Sequence, residues 1–79
     1  MILNILTPSG SLVSNAEVSA VFLPGELGEF EVLGGHAPII SSLTGGMIRY
    51  REGGEEKSVT ISSGFAIVKD DRIEACVEK

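Results

Sequence analysis

The sequence predicts an all-β domain, an antiparallel β-sandwich of two packed sheets with about 8–10 short strands. Three observations lead there. Apolar and polar residues alternate with a period of two in several segments. Ten glycines and three prolines divide the 79 residues into short pieces. Strand-like pieces recur about every 8–10 residues, the spacing of a sandwich or barrel. Helix signals are weak: Ser14-Asn15-Ala16-Glu17 is the only capped candidate, and it runs directly into Val18, Val21 and Phe22. Residues 1–79 read as one domain.

Taken in order, Glu17 to Leu23 carries β-branched and aromatic residues on both faces, as a strand covered on two sides would. Pro24-Gly25 suits the central positions of a type II turn. Glu29-Phe30-Glu31-Val32 alternates, with Phe30 and Val32 on one side and two carboxylates on the other. Gly45-Gly46 opens a strand over Met47–Glu52, and Gly53-Gly54 reads as a hairpin tip before Glu55–Ile61. Within the latter, Ser58-Val59-Thr60-Ile61 alternates hydroxyls with aliphatics. Gly64 starts a further strand, and Asp70-Asp71 separates Phe65–Lys69 from Arg72–Val77. That last piece has the clearest pattern: Ile73, Ala75 and Val77 form its buried face.

Composition excludes several functions. Six Lys and Arg against eleven Asp and Glu give a net charge of −5, which argues against broad nucleic-acid binding through phosphate neutralisation. One Cys excludes an internal disulfide framework, and with one His it leaves no conventional His/Cys zinc site. The apolar start, Met1 to Pro8, lacks the basic flank of a signal peptide, and no apolar run approaches the roughly 20 residues of a membrane helix. A reducing, cytosolic or membrane-peripheral location is expected, and no cofactor.

The residues able to carry chemistry have plain alternatives. His36, the only imidazole, lies in Gly34-Gly35-His36-Ala37-Pro38, with no spacing that pairs it with a nucleophile or carboxylate. A structural or interface role is the expectation. Alternation puts Cys76 between Glu74 and Glu78 on a polar face, where like charge suppresses the thiolate. Glu26, Glu29 and Glu31 form an acidic stretch suited to solvent or to a basic partner. Arg49, Arg51 and Lys57 flank the Gly53-Gly54 tip among Glu52, Glu55 and Glu56, as ordinary surface charge does. The glycines match no phosphate-binding pattern.

The stretch from Gly28-Glu29-Phe30 through Gly35-His36-Ala37-Pro38 to Leu43, followed by Gly46-Met47-Ile48, resembles the N-terminal domain of the epsilon subunit of F-type ATP synthases, called delta in mitochondria. Ser63-Gly64-Phe65-Ala66 and the closing Arg72–Val77 resemble the family's later segments, so the likeness runs along nearly the whole chain. Two positions depart from it: Glu31 stands where Gly is common, and Gly34 replaces the usual Pro. The chain ends where the family's sandwich ends, so the expectation is a short form without the C-terminal helical hairpin and its inhibitory role.

The resemblance implies a non-catalytic rotor subunit in the central stalk. It would link the gamma subunit to the membrane c-ring, coupling proton or sodium flow to ATP synthesis from the cytoplasmic face of the membrane. Its interface would include Glu29, Phe30, Glu31, His36, Ala37 and Pro38. The rival reading is a biotinyl- or lipoyl-type carrier domain with a modifiable Lys69 beside the Asp70-Asp71 turn, although the residues flanking Lys69 are wrong for it.

Overall fold

The computed structural model describes residues 1–79 and contains nine strands and no helix. They are β1 (Ile2–Thr7), β2 (Gly10–Glu17), β3 (Ala20–Gly25), β4 (Gly28–Leu33), β5 (Ile39–Leu43), β6 (Gly46–Glu52), β7 (Glu55–Ile61), β8 (Ser63–Lys69) and β9 (Arg72–Glu78). Hydrogen bonding connects them continuously in the order β2-β1-β9-β8-β5-β3-β6-β7, with β4 added to β3. The sandwich is therefore one curled sheet. Its layers are β2-β1-β9-β8-β5 and β4-β3-β6-β7, joined where the end of β3 passes from β6 to β5.

That corner is made by Thr44 and Gly45. The Thr44 N–H donates to the Pro24 carbonyl at 2.8 Å, and the Glu26 N–H donates to the Ser42 carbonyl at 3.3 Å. Between the layers lies a core of 16 residues that includes Leu3, Ile5, Val21, Leu23, Val32, Ile48 and Ile73, each fully buried. Strand alternation produces it directly: Ile73, Ala75 and Val77 on β9 are buried while Arg72, Glu74 and Glu78 are exposed.

Most predicted boundaries hold, and four details differ. Glu17 to Leu23 is two strands, because the chain crosses between layers at Val18 and Ser19. The turn expected at Pro24-Gly25 falls two residues later, at Glu26-Leu27, with Gly25 opposite Gly28. Pro24 stays in β3 because its carbonyl, already engaged by Thr44, faces away from β4, so the missing N–H interrupts no β3–β4 bond. The capped candidate at Ser14–Glu17 is a bulge in β2. There Asn15 takes a φ of 49° and its N–H donates to Asn4 Oδ1 at 2.8 Å. Finally, β1 and β9 pair in parallel, Leu3 opposite Ile73 and Ile5 opposite Ala75. Their antiparallel partners are β2 and β8, so the remaining edges of the first and last strands meet running the same way.

Candidate functional site

The interface residues that the resemblance implies, Glu29, Phe30, Glu31, His36, Ala37 and Pro38, lie on β4 and the loop after it, at one edge of the β4-β3-β6-β7 layer. Glu29 and Glu31 project outward from β4 opposite Pro24 and Phe22, while Phe30 and Val32 project inward. Phe30 is half-buried and packs against the core. It supports the edge from beneath, and its exposed part lines the groove between the β3–β4 hairpin and β5.

Glu29 has a cation within the chain. Its Oε1 accepts a hydrogen bond from Arg49 Nη2 at 2.9 Å, and the Arg49 guanidinium lies 4.4 Å from the centroid of the Phe22 ring. Glu56 approaches Arg49 at 3.7 Å and Arg51 at 3.9 Å, so Glu29, Phe22, Arg49 and Glu56 form a stripe across the outer face. Lys57 pairs with Glu52 at 2.9 Å; that hydrogen bond and the carboxylate's charge hold the Lys57 pKa above 10.5. Glu31 makes no ion pair.

His36 lies at the far end of β4. Gly34 and Gly35 turn the chain, the His36 N–H donates to the Leu33 carbonyl at 3.1 Å, and the Gly35 N–H donates to Asp71 Oδ1 at 3.4 Å. The ring Nδ1 stands 2.7 Å from the Ala37 carbonyl, which can only accept, so Nδ1 carries a proton. Ala37 and Pro38 are exposed. Leu33 follows Glu29 by four residues along an extended strand, a rise of ~13 Å, so Glu29 and His36 occupy opposite ends of β4. No group of three or more His, Cys, Asp or Glu is arranged to hold a metal ion.

Two features escaped the sequence. A groove of about 550 Å³ runs between Gly25–Phe30 and Ile39–Ser42. At its end the Glu26-Leu27 tip holds Leu27 fully exposed. Locating the turn at Pro24-Gly25 concealed this, because it placed Leu27 beyond the tip. Arg49 was undetectable as the partner of Glu29, since the two meet only through the β3–β4 and β3–β6 registers. Lys69 ends β8 opposite Arg72, beside a tip formed by Asp70 and Asp71. Cys76 is half-buried on the outer face of β9, between Phe65 of β8 and Leu6 of β1.

Fold and edge together define a class: a small all-β sandwich whose signature residues line one edge strand and the loop that follows it. The family model for the ATP synthase delta/epsilon chain β-sandwich domain matches residues 1–79, and the chain belongs to that family. It is 39% identical over 77 residues to the ATP synthase epsilon chain of Magnetococcus marinus, covering 98% of this chain and 56% of that one. With the epsilon chain of Desulfosudis oleivorans it shares 42% over 77 residues, covering 96% and 57%. The chain thus spans little more than half the length of these curated relatives. A chain in the solved Euglena gracilis mitochondrial ATP synthase (OSCP, F1 and c-ring, rotational state 1) superposes with a TM-score of 0.94 at 26% identity, over all of this chain and 51% of that one. One in the Tetrahymena thermophila central stalk and c-ring shares the fold, with a TM-score of 0.86 at 19% identity, over all of this chain and 63% of that one. These matches do not favour the carrier reading of Lys69.

Proposed function

We propose that this domain is a non-catalytic rotor component of an ATP synthase, binding the gamma subunit and resting on the c-ring at the cytoplasmic face of the membrane. One observation carries the reading: the family match extends over the whole chain, the β4 edge included. The Euglena assembly, whose matching chain superposes closely, contains a c-ring. Glu29, Glu31, His36, Ala37 and Pro38 form the interface in this reading, with Leu27 added at the hairpin tip, and Phe30 supporting it from the core side. Glu26, Glu29 and Glu31 favour a basic partner loop, and charges of this kind set orientation and association rate, through which reversing one lowers affinity.

Calorimetric titration against purified gamma subunit tests the reading. Saturable one-to-one binding is expected. Glu31→Lys should weaken it about tenfold, equivalent to ~1.4 kcal/mol. Glu31 is the better residue to reverse, because Glu29→Lys would also place a second cation against Arg49. A folded domain that fails to bind gamma overturns the proposal.

A further inference from the structure

The β4 strand has a free edge, and the backbone groups that point from it can be assigned. The β3–β4 loop contains two residues, so Gly25 and Gly28 form the hydrogen-bonded pair that closes it. Alternation then makes Pro24–Glu29, Phe22–Glu31 and Ala20–Leu33 the non-hydrogen-bonded pairs. Pro24 confirms this independently: its carbonyl accepts from the Thr44 N–H, on the side of β3 away from β4. The N–H groups of Glu29, Glu31 and Leu33 therefore point out of the sheet, where no strand pairs with them.

The surroundings of that edge select its partner. Outward side chains at the same positions are Glu29 and Glu31, and the groove beside the edge has Phe30 and Ile39 along its wall. Edge carboxylates oppose pairing between two copies of the chain, since an antiparallel copy would set Glu against Glu. The same carboxylates, with Glu31 unpaired, favour a strand whose outward residues are cationic. We propose that the free edge of β4 takes up an extended segment of a partner protein in which basic and apolar residues alternate, adding it as a fifth strand to the β4-β3-β6-β7 layer. The proposal rests on the reading that this edge faces a partner, and it specifies how that partner is held: by main-chain bonds to Glu29, Glu31 and Leu33, with charge fixing the register.

The probe is the peptide Thr-Lys-Val-Lys-Val-Lys-Thr with blocked ends, added to the full chain while amide hydrogen exchange is followed residue by residue. The Glu29, Glu31 and Leu33 amides should exchange rapidly in the free protein and at least tenfold more slowly at saturation. Methylating alternate peptide nitrogens, which leaves the charge unchanged, should abolish that protection, and Glu31→Lys should weaken binding about tenfold. Unchanged exchange at these amides under saturating peptide overturns the proposal. So does equal binding of the methylated peptide, which would show charge attraction alone. Protection that rises with the concentration of the free protein would show that a second copy occupies the edge, and overturns it too. Failure to bind gamma alongside peptide protection overturns the rotor reading and leaves edge pairing standing. Gamma binding together with unchanged exchange at the three amides under saturating peptide does the reverse.

Discussion

Gly64 is the position where one added carbon does most harm. A Cβ there would lie 2.5 Å from the Cys76 carbonyl oxygen and 2.9 Å from Val77 Cα, both backbone atoms of the neighbouring strand. Those atoms belong to the β8–β9 ladder and cannot shift independently, so Gly64→Ala should cost about 2–3 kcal/mol. In a domain of this size that lowers Tm by roughly 10–20 °C, measurable by thermal melting. A melting point within a few degrees of wild type would show that the ladder yields. Single residues were legible in the sequence where alternation fixed them, as with Ile73, Ala75 and Val77. They were not where a role depends on a neighbour distant in sequence. The crowding at Gly64 comes from β9, and Arg49 reaches Glu29 only across β3.

Hairpins set the behaviour of the elements, and the two clearest use different chemistry for the same backbone. At the β6–β7 tip, Gly53 and Gly54 take φ of 59° and 82°, which glycine adopts without steric cost. At the β8–β9 tip the same left-handed positions are held by Asp70 and Asp71, at φ of 53° and 60°. Asp71 is compensated by its carboxylate, which accepts the Gly35 N–H and ties this turn to the loop of His36, whereas Asp70 makes no such bond. Asp70→Gly should therefore stabilise the domain by about 0.5–1 kcal/mol, while Asp71→Gly brings no gain. Urea denaturation of both variants checks the difference, and equal gains would rule out a structural role for the Asp71 bond. The β6–β7 hairpin also carries a pH signature. Lys57 is raised above 10.5 by its hydrogen bond to Glu52, so the charged pair contributes in full below that value and is lost as pH rises through the higher folded-state value. The stability difference between wild type and Glu52→Gln should be constant at neutral pH and shrink in the alkaline range above 10.5. A flat difference throughout would remove the pair from the account. Both tips were visible in the sequence because turn residues stood between alternating runs. The β3–β4 tip was misplaced because Pro-Gly is a stronger local signal than Glu-Leu, and the corner contact with Thr44 overrode it.

For the molecule as a whole, closure depends on the chain's first and last strands. The sequence predicted an all-β sandwich from local periodicity, but strand order is a non-local property. Nothing in the segment Ile2–Thr7 specifies that it lies between β2 and β9, in parallel with the latter. That placement seals the layer opposite the β4 edge and sets Leu3 and Ile5 fully inside the core. Total stability for 79 residues is roughly 4–12 kcal/mol at the usual 0.05–0.15 kcal/mol per residue. Ile5 lies between Val13 and Ala75 on its two neighbouring strands, with no exposed surface into which a void could open. Ile5→Ala should then cost about 3 kcal/mol, a large share of the total. Val59 on the edge strand β7 is only half-buried, so Val59→Ala should cost less than about 1.5 kcal/mol. Guanidinium unfolding of the two variants separates a core closed by the β1–β9 pair from one held by the hairpins alone. If Ile5→Ala cost no more than Val59→Ala, the parallel pair would be peripheral to stability, and the β4-β3-β6-β7 layer would be supported by its own contacts rather than by closure at the chain ends.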